Sequence, residues 1–337
     1  MHTKRLLGGL CLLLLVSLTG CLPSVVQTEH EYVLLQWDGA RWIVLEDDDP
    51  LYEQFQRSIL SDPYLRRLLL LYEHSTEAFL ATNTHSPLSQ TLANKPMIAL
   101  NSKQARLLRD IVVYQKKSKV RIELALGLGQ DGQVDFGWAR DRFAPVVAEG
   151  LLAMMGVHFR QPEGSLSPIY EETSPDWALA AGWMAAFEAI YGQRHPERVA
   201  GLQPLAKMNP WAQERLYIYT LVPHNGFRQR FQGGVPTAEL RPCAEAQRTP
   251  GVVASFFYHL LQQGEDYYPQ REMLWFANFD AEETPYAKAL LALNRMAGSR
   301  EVSLQSFLEA YRETFPAEQG KTESLAKEVF GCVPGKE

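Results

Sequence analysis

From Trp138 onward the sequence stops alternating. Apolar residues instead recur at the three-and-four spacing of a helix facing a core. They do so over about 141–156, 175–192, 209–221, 250–263, 284–297, 303–314 and 319–330. Pro- and Gly-rich stretches such as Gln161–Ser167 and Pro223–Thr237 separate them as loops. Three segments, Phe143–Gly156, Asp176–Tyr191 and Gly251–Leu261, are so rich in Ala, Gly, Leu and aromatics that they read as core helices. The spacing of Trp177, Trp183 and Tyr191, with Met184 and Phe187 between, reads as a core stripe, with a carbohydrate- or peptide-binding platform as the other reading.

The first part of the chain has another pattern. Tyr32–Trp37 and Arg41–Leu45 flank Asp38-Gly39, the signature of a hairpin. Met97–Leu100 reads as a short strand, and Lys119–Leu128 alternates well for another. After the turn Gly129–Gly132, Gln133–Trp138 reads as the returning partner. Helices are expected at about 50–60, 63–81 and 103–114, the second buried through Leu68–Tyr72. Asp47, Asp48 and Asp49 before Pro50 read as a solvated helix start rather than a cation site. The expectation is an α+β fold: a β-containing N-terminal part followed by a mainly α-helical part. It forms one globular domain over 31–337, or two close lobes at 31–140 and 141–337.

The 337 residues carry a net charge of −6, and the N-terminal twenty residues contribute two cations and no acid to that total. The remainder is therefore more acidic still. This argues against a nucleic-acid partner and against electrostatic docking on anionic lipid.

Lys4 and Arg5 precede a short apolar run, Leu6–Leu18, that is marginal for a span and suits a secretory leader. It closes on Leu18-Thr19-Gly20-Cys21. That ending resembles the lipobox of bacterial lipoproteins. The resemblance implies removal of residues 1–20 as a signal peptide, lipidation of Cys21 with palmitate-class chains, and a tether over 21–30. It also implies residence in the cell envelope, anchored by lipid to the outer face of a bacterial membrane or to the outer membrane. Two or more chains suffice for stable anchoring. Of the other cysteines, Cys11 lies in the leader, while Cys243 and Cys332 are left either as a disulfide or as two ordinary thiols.

The sequence has no His-Glu-x-x-His, no Cys-x-x-Cys pair, no Gly-x-Ser-x-Gly elbow and no phosphate or dinucleotide loop. Glu149 stands out as a carboxylate inside an apolar helix, costly unless paired or protonated. Arg142, two turns earlier on the same face, is placed to cover it. His158 and His259 read as hydrogen-bonded structural histidines, with convergence on Glu149 as the other reading, and His224 reads as a turn residue. The aromatics Tyr267, Tyr268, Trp275 and Phe276 are a second choice of partner-binding surface.

The three core helices, in this order, resemble those of gluzincin-type metallopeptidases. In that family the first helix carries His-Glu-x-x-His, the second a Glu-Gly-Trp-Ala segment, and a third apolar helix packs behind. On this resemblance Ala148 and Leu152 replace the two histidines, Glu149 holds the general-base position, and Ala181 replaces the third ligand before Gly182-Trp183. None of the three replacements has a lone pair, so the resemblance implies a zincin-like pseudoenzyme without metal or cofactor. Its cleft, around Ala148, Glu149, Leu152, Ala181 and Trp183, would bind a protein, peptide or envelope component. An extracytoplasmic hydrolase using Glu149 with a distant histidine such as His259 is the alternative. A solute-binding lipoprotein is a third reading, against which no alternating two-lobed series of strands and helices is evident.

Overall fold

A carboxylate followed by proline starts the helices that frame the first part of the molecule. The computed structural model describes residues 32–37, 41–83, 97–101, 122–125, 127–128, 134–160, 169–195, 228–232, 235–263, 272–299 and 301–335. Strand β1 (Val33–Trp37) pairs antiparallel with β2 (Trp42–Val44). Asp49 then caps α1 (Pro50–Phe55), its carboxylate accepting from Leu51 N at 2.8 Å. A π-helical turn follows at Gln56–Leu60. Asp62 repeats the device for α2 (Pro63–Thr82), accepting from the backbone N–H of Tyr64 and Leu65. In both helices proline occupies the first turn, where a missing N–H costs nothing.

β3 (Met97–Asn101) returns parallel to β1, and β4 (Ile122–Ala125) lies parallel to β3. The sheet order is β2-β1-β3-β4. β5 (Gly127–Leu128) and β6 (Val134–Asp135) form a two-stranded ribbon, and the chain passes straight into α3 (Phe136–Met154). Then come α4 (Pro175–Arg194), the ribbon β7 (Gln229–Gln232) and β8 (Val235–Leu240), and the short α5 (Cys243–Ala246). The remainder is helical: α6 (Pro250–Leu260), α7 (Met273–Phe276), α8 (Thr284–Met296), α9 (Leu304–Thr314) and α10 (Gln319–Phe330). The chain is α+β, with a small N-terminal sheet and a mainly helical C-terminal part. Tyr32–Glu337 clusters as one unit, and α3 runs unbroken through the position where two lobes would have met.

The core is centred on α4. Ala178–Trp183 and Ala185–Gly192 are all buried, so this helix meets protein on nearly every side. α3 packs on one flank and α6 on another, while α3 also touches the sheet through β4 and packs on α2. Gly182 permits the approach of α6. A Cβ at that position would lie 2.6 Å from Val253 Cβ and 3.0 Å from the backbone nitrogen of Ala254. The next residue, Trp183, is fully buried and donates its indole N–H to Ala148 O at 2.9 Å. Its ring meets Phe187 at 4.9 Å and Phe257 edge-on at 5.2 Å.

Several sequence expectations change here. Phe136, Gly137 and Trp138 belong to α3 rather than to a strand, because the β6 ladder ends after Asp135 and Phe136 is buried in the core. The β7–β8 ribbon lies largely where a loop was expected. Residues 238–240 of β8 are solvent-exposed, so the ribbon lacks the apolar alternation that reports a buried face. Trp275 and Phe276 are buried instead of forming a binding surface, with Trp275 Nε1 donating to Ala287 O at 2.9 Å. The exposed residues of α7 are Met273 and Leu274. The expected helices at 103–114 and 209–221, and Tyr267-Tyr268, lie outside the described residues.

Substituting Gly182→Ala should destabilise the fold by roughly 1–3 kcal/mol, read as a lower denaturation midpoint, since a methyl must force α4 and α6 apart. Adding Val253→Ala should recover only part of that loss, because Val253 Cβ is as close to the intruding methyl as Cγ1 is.

Candidate functional site

Of the positions singled out by the sequence, Ala148, Glu149 and Leu152 lie on α3 and Ala181 and Trp183 on α4, and Trp183 meets Ala148 where the two helices pack. Ala148 and Leu152 share one face of α3 and are completely buried; Ala181 is 8% exposed on α4. Trp183 occupies the junction, and its N–H is committed to Ala148 O. Around Ala148 the described contacts are therefore apolar packing and one indole hydrogen bond. Glu149, one residue on, is only partly buried, as is Ala153 one turn later on α3.

Among the described residues Glu149 has no hydrogen bond or ion pair. Burial alone pushes its carboxyl pKa from 4.5 up to about 8. It is therefore largely a neutral acid at pH 7, able to give a proton and not to act as a resting base. Arg142 does not cover it: its guanidinium lies 3.7 Å from Glu188 on α4. His259 is partly buried on α6, its ring perpendicular to that of Tyr258 at 5.2 Å. No described contact brings His259 to Glu149. His158 is exposed, and among the described residues no group of three or more His, Cys, Asp or Glu is placed to hold a metal ion. Cys243 and Cys332 form a disulfide with a Cα–Cα distance of 5.9 Å, joining α5 to the end of α10. Cys21 and His224 lie outside the described residues.

A second polar centre was not foreseen. Asp62, whose side chain is 1% exposed, caps α2 through Oδ1. Its Oδ2 meets His195 Nε2 at 2.8 Å and Arg140 at 3.3 Å. His195 is the C-cap residue of α4 and Arg140 comes from the start of α3, so one carboxylate ties together three helix ends. Tyr191 stacks on Tyr64 with ring centroids 6.3 Å apart and lies 4.5 Å from the His195 ring.

Beyond this centre a small, shallow depression opens between α2, the end of α4 and the start of α8. Leu68, Leu71, Tyr64 and Tyr286 line it, with the charged groups Arg67, Arg194, Glu282 and Glu283. Arg67 bonds Asp280 at 2.6 Å and also Glu282. Glu283 is held by His74 at 2.8 Å, and that hydrogen bond raises the His74 pKa. The only local sign of this centre was the Asp62-Pro63 helix start, since its other members are scattered along the chain.

No family model, curated protein or solved structure matches the chain. What the site can do follows from its own geometry. The α3–α4 face offers a neutral carboxylic acid beside a closed apolar interface, and the α2–α4–α8 depression offers tyrosines, apolar walls and charged groups.

The raised pKa of Glu149 has a definite sign. The protonated form is favoured in the fold, so this stabilising preference is present below about pH 4.5 and is lost as pH rises through about 8. Glu149→Gln should leave the thermal midpoint nearly unchanged at pH 4 and raise it at pH 9. Each tenfold change in acidity is worth ~1.4 kcal/mol, so the gain at pH 9 should reach a few kcal/mol at most.

Proposed function

We propose that this chain is an envelope lipoprotein, held to a bacterial membrane by acyl chains on Cys21. We propose further that its folded part is a non-catalytic, peptidase-like domain that binds a protein, peptide or envelope component. The observation that supports the non-catalytic reading is the burial of three side chains without donor atoms on α3 and α4. Ala148, Leu152 and Ala181 stand at the positions the zincin resemblance assigns to ligands; they offer no donor atom and are buried, Ala148 and Leu152 within the apolar core. The indole N–H of Trp183 bonds the Ala148 carbonyl between the two helices. A scaffold of this kind keeps its helix packing after losing its ligands, which frees its surfaces for binding. The acidic balance of the chain, −6 overall, fits membrane attachment through lipid rather than through a basic face.

The state of Glu149 favours a second reading. A carboxyl titrating at about 8 is suited to general-acid work near neutral pH, so a hydrolase centred on Glu149 is the alternative.

Metal analysis of the purified full chain separates the two. The binding-domain reading expects zinc far below one equivalent, unchanged by Glu149→Ala. Stoichiometric zinc that disappears in Glu149→Ala or His259→Ala would overturn it. For the anchor, metabolic labelling with a radioactive fatty acid should mark the wild-type chain and leave Cys21→Ser unmarked. Equal labelling of both would remove the lipoprotein reading.

A further inference from the structure

Arg67 and His74 stand two turns apart on α2 and so share one face of that helix. Both reach the segment 277–283, which joins α7 to α8. Arg67 holds Asp280 at 2.6 Å and also Glu282, while His74 Nδ1 lies 2.8 Å from Glu283 Oε2. The two clasps differ in kind. The side chains of Asp280 and Glu282 are 57% and 69% exposed, and ion pairs so open to water add little. That of Glu283 is 3% exposed. A carboxylate this far from water needs a partner, and losing the partner's charge is costly. Among the described residues the Glu283 carboxylate bonds His74 and the backbone N–H of Asp280, and His74 is its one ionisable partner.

The segment is built to move as a piece. Asp280 pins its own turn, its carboxylate accepting from the backbone N–H of Glu283 at 2.9 Å and its carbonyl from the Thr284 hydroxyl at 3.0 Å. Phe279 lies edge-on to the His74 ring, with centroids 6.3 Å apart, and 6.2 Å from the ring of the fully buried Trp275. α7 itself packs on α2.

We propose that His74 and Glu283 form a pH-sensitive latch, which holds segment 277–283 on α2 while His74 is protonated and loosens it when the proton leaves. The His74 side chain is 29% exposed, so its proton exchanges with solvent while its partner stays buried. The hydrogen bond to Glu283 raises the His74 pKa above the ordinary 6.5; partial burial opposes the rise, and the negative charges of Glu283, Glu73 and Glu77 add to it. Glu73 and Glu77 act from α2 itself, and Glu283 from the segment, with Asp280 bonded beside it. A raised imidazole pKa fixes the sign: the latch contributes fully below about pH 6.5 and is lost as pH climbs through the folded-state value. Arg67 stays charged throughout and keeps the weaker, exposed clasp. The segment is also the link from α7, with its exposed Met273 and Leu274, to α8, so the latch governs how firmly that apolar pair is held. It depends neither on the lipid anchor nor on the absence of metal.

The test is hydrogen exchange of the purified full chain, read by mass spectrometry at about pH 5.5 and about pH 8 and corrected for the intrinsic pH dependence of exchange. Opening of 277–283 should be on the order of threefold or more greater at the higher pH, with helix 304–314 unchanged. His74→Gln, neutral at both values, should open at the lower pH as the wild type does at the higher. Glu149 also titrates in this range, but it lies on α3 and remains in the variant, so the variant separates the two groups. Thermal denaturation checks that the variant folds; should it not, Glu283→Gln, which removes the buried charge, carries the test and should abolish the pH dependence. NMR titration of the His74 ring should give a pKa above 6.5. Equal opening of 277–283 at the two pH values, a pH dependence that survives in the variant tested, or a His74 pKa at or below 6.5 would each overturn the proposal.

Discussion

The helical part of this protein is organised by one close approach, that of helix 175–194 to helix 250–260 at Gly182. A hydrogen atom there lets the backbones come so near that even a methyl would collide with Val253 and Ala254 N. Interiors packed to crystal density do not absorb such an intrusion without moving an element. Because the helices are close, Trp183 is enclosed: it spans from the Ala148 carbonyl on one neighbour to Phe257 on the other. The buried positions of helix 136–154, and with them the orientation of Glu149, follow from how that helix docks on the same element.

A second constraint is electrostatic. The Asp62 carboxylate is almost wholly removed from water, and such a charge persists only when it is paired and hydrogen-bonded. Two backbone N–H groups, His195 and Arg140 meet that requirement, and meeting it draws the ends of three helices together. The aromatic cluster of Tyr64, Tyr191 and Tyr286 surrounds this junction, and the depression edged by Arg194 lies beyond it. That polar recess is therefore a by-product of how one helix cap was satisfied.

Legibility in the sequence followed the range of the physics. Helices 63–82, 175–194, 284–296, 304–314 and 319–330 were foreseen to within a few residues, because apolar spacing and proline at the first turn are local signals. The ribbon at 229–240 was missed because its sequence carries no clear apolar alternation, although Gly233-Gly234 between its strands is a turn signal of its own. Trp275 was read as surface because its stretch lacks helical periodicity; it is buried in the core, where a carbonyl twelve residues away accepts its N–H. The polar centre at Asp62 left almost no trace, since an aspartate before a proline looks the same whether or not a histidine 133 positions later shares it.

The sequence by itself determined the class of the fold and the starts of its main helices, and it put side chains without lone pairs at 148, 152 and 181. These are matters of residue type and short-range spacing, which need no knowledge of neighbours. Tertiary structure alone decided the company each polar group keeps. It placed Glu149 where burial raises its pKa, paired Arg142 with Glu188, brought Cys243 within bonding range of Cys332, and set Arg194 on an aromatic ring. Proximity and desolvation act through space, between residues that the chain order keeps far apart.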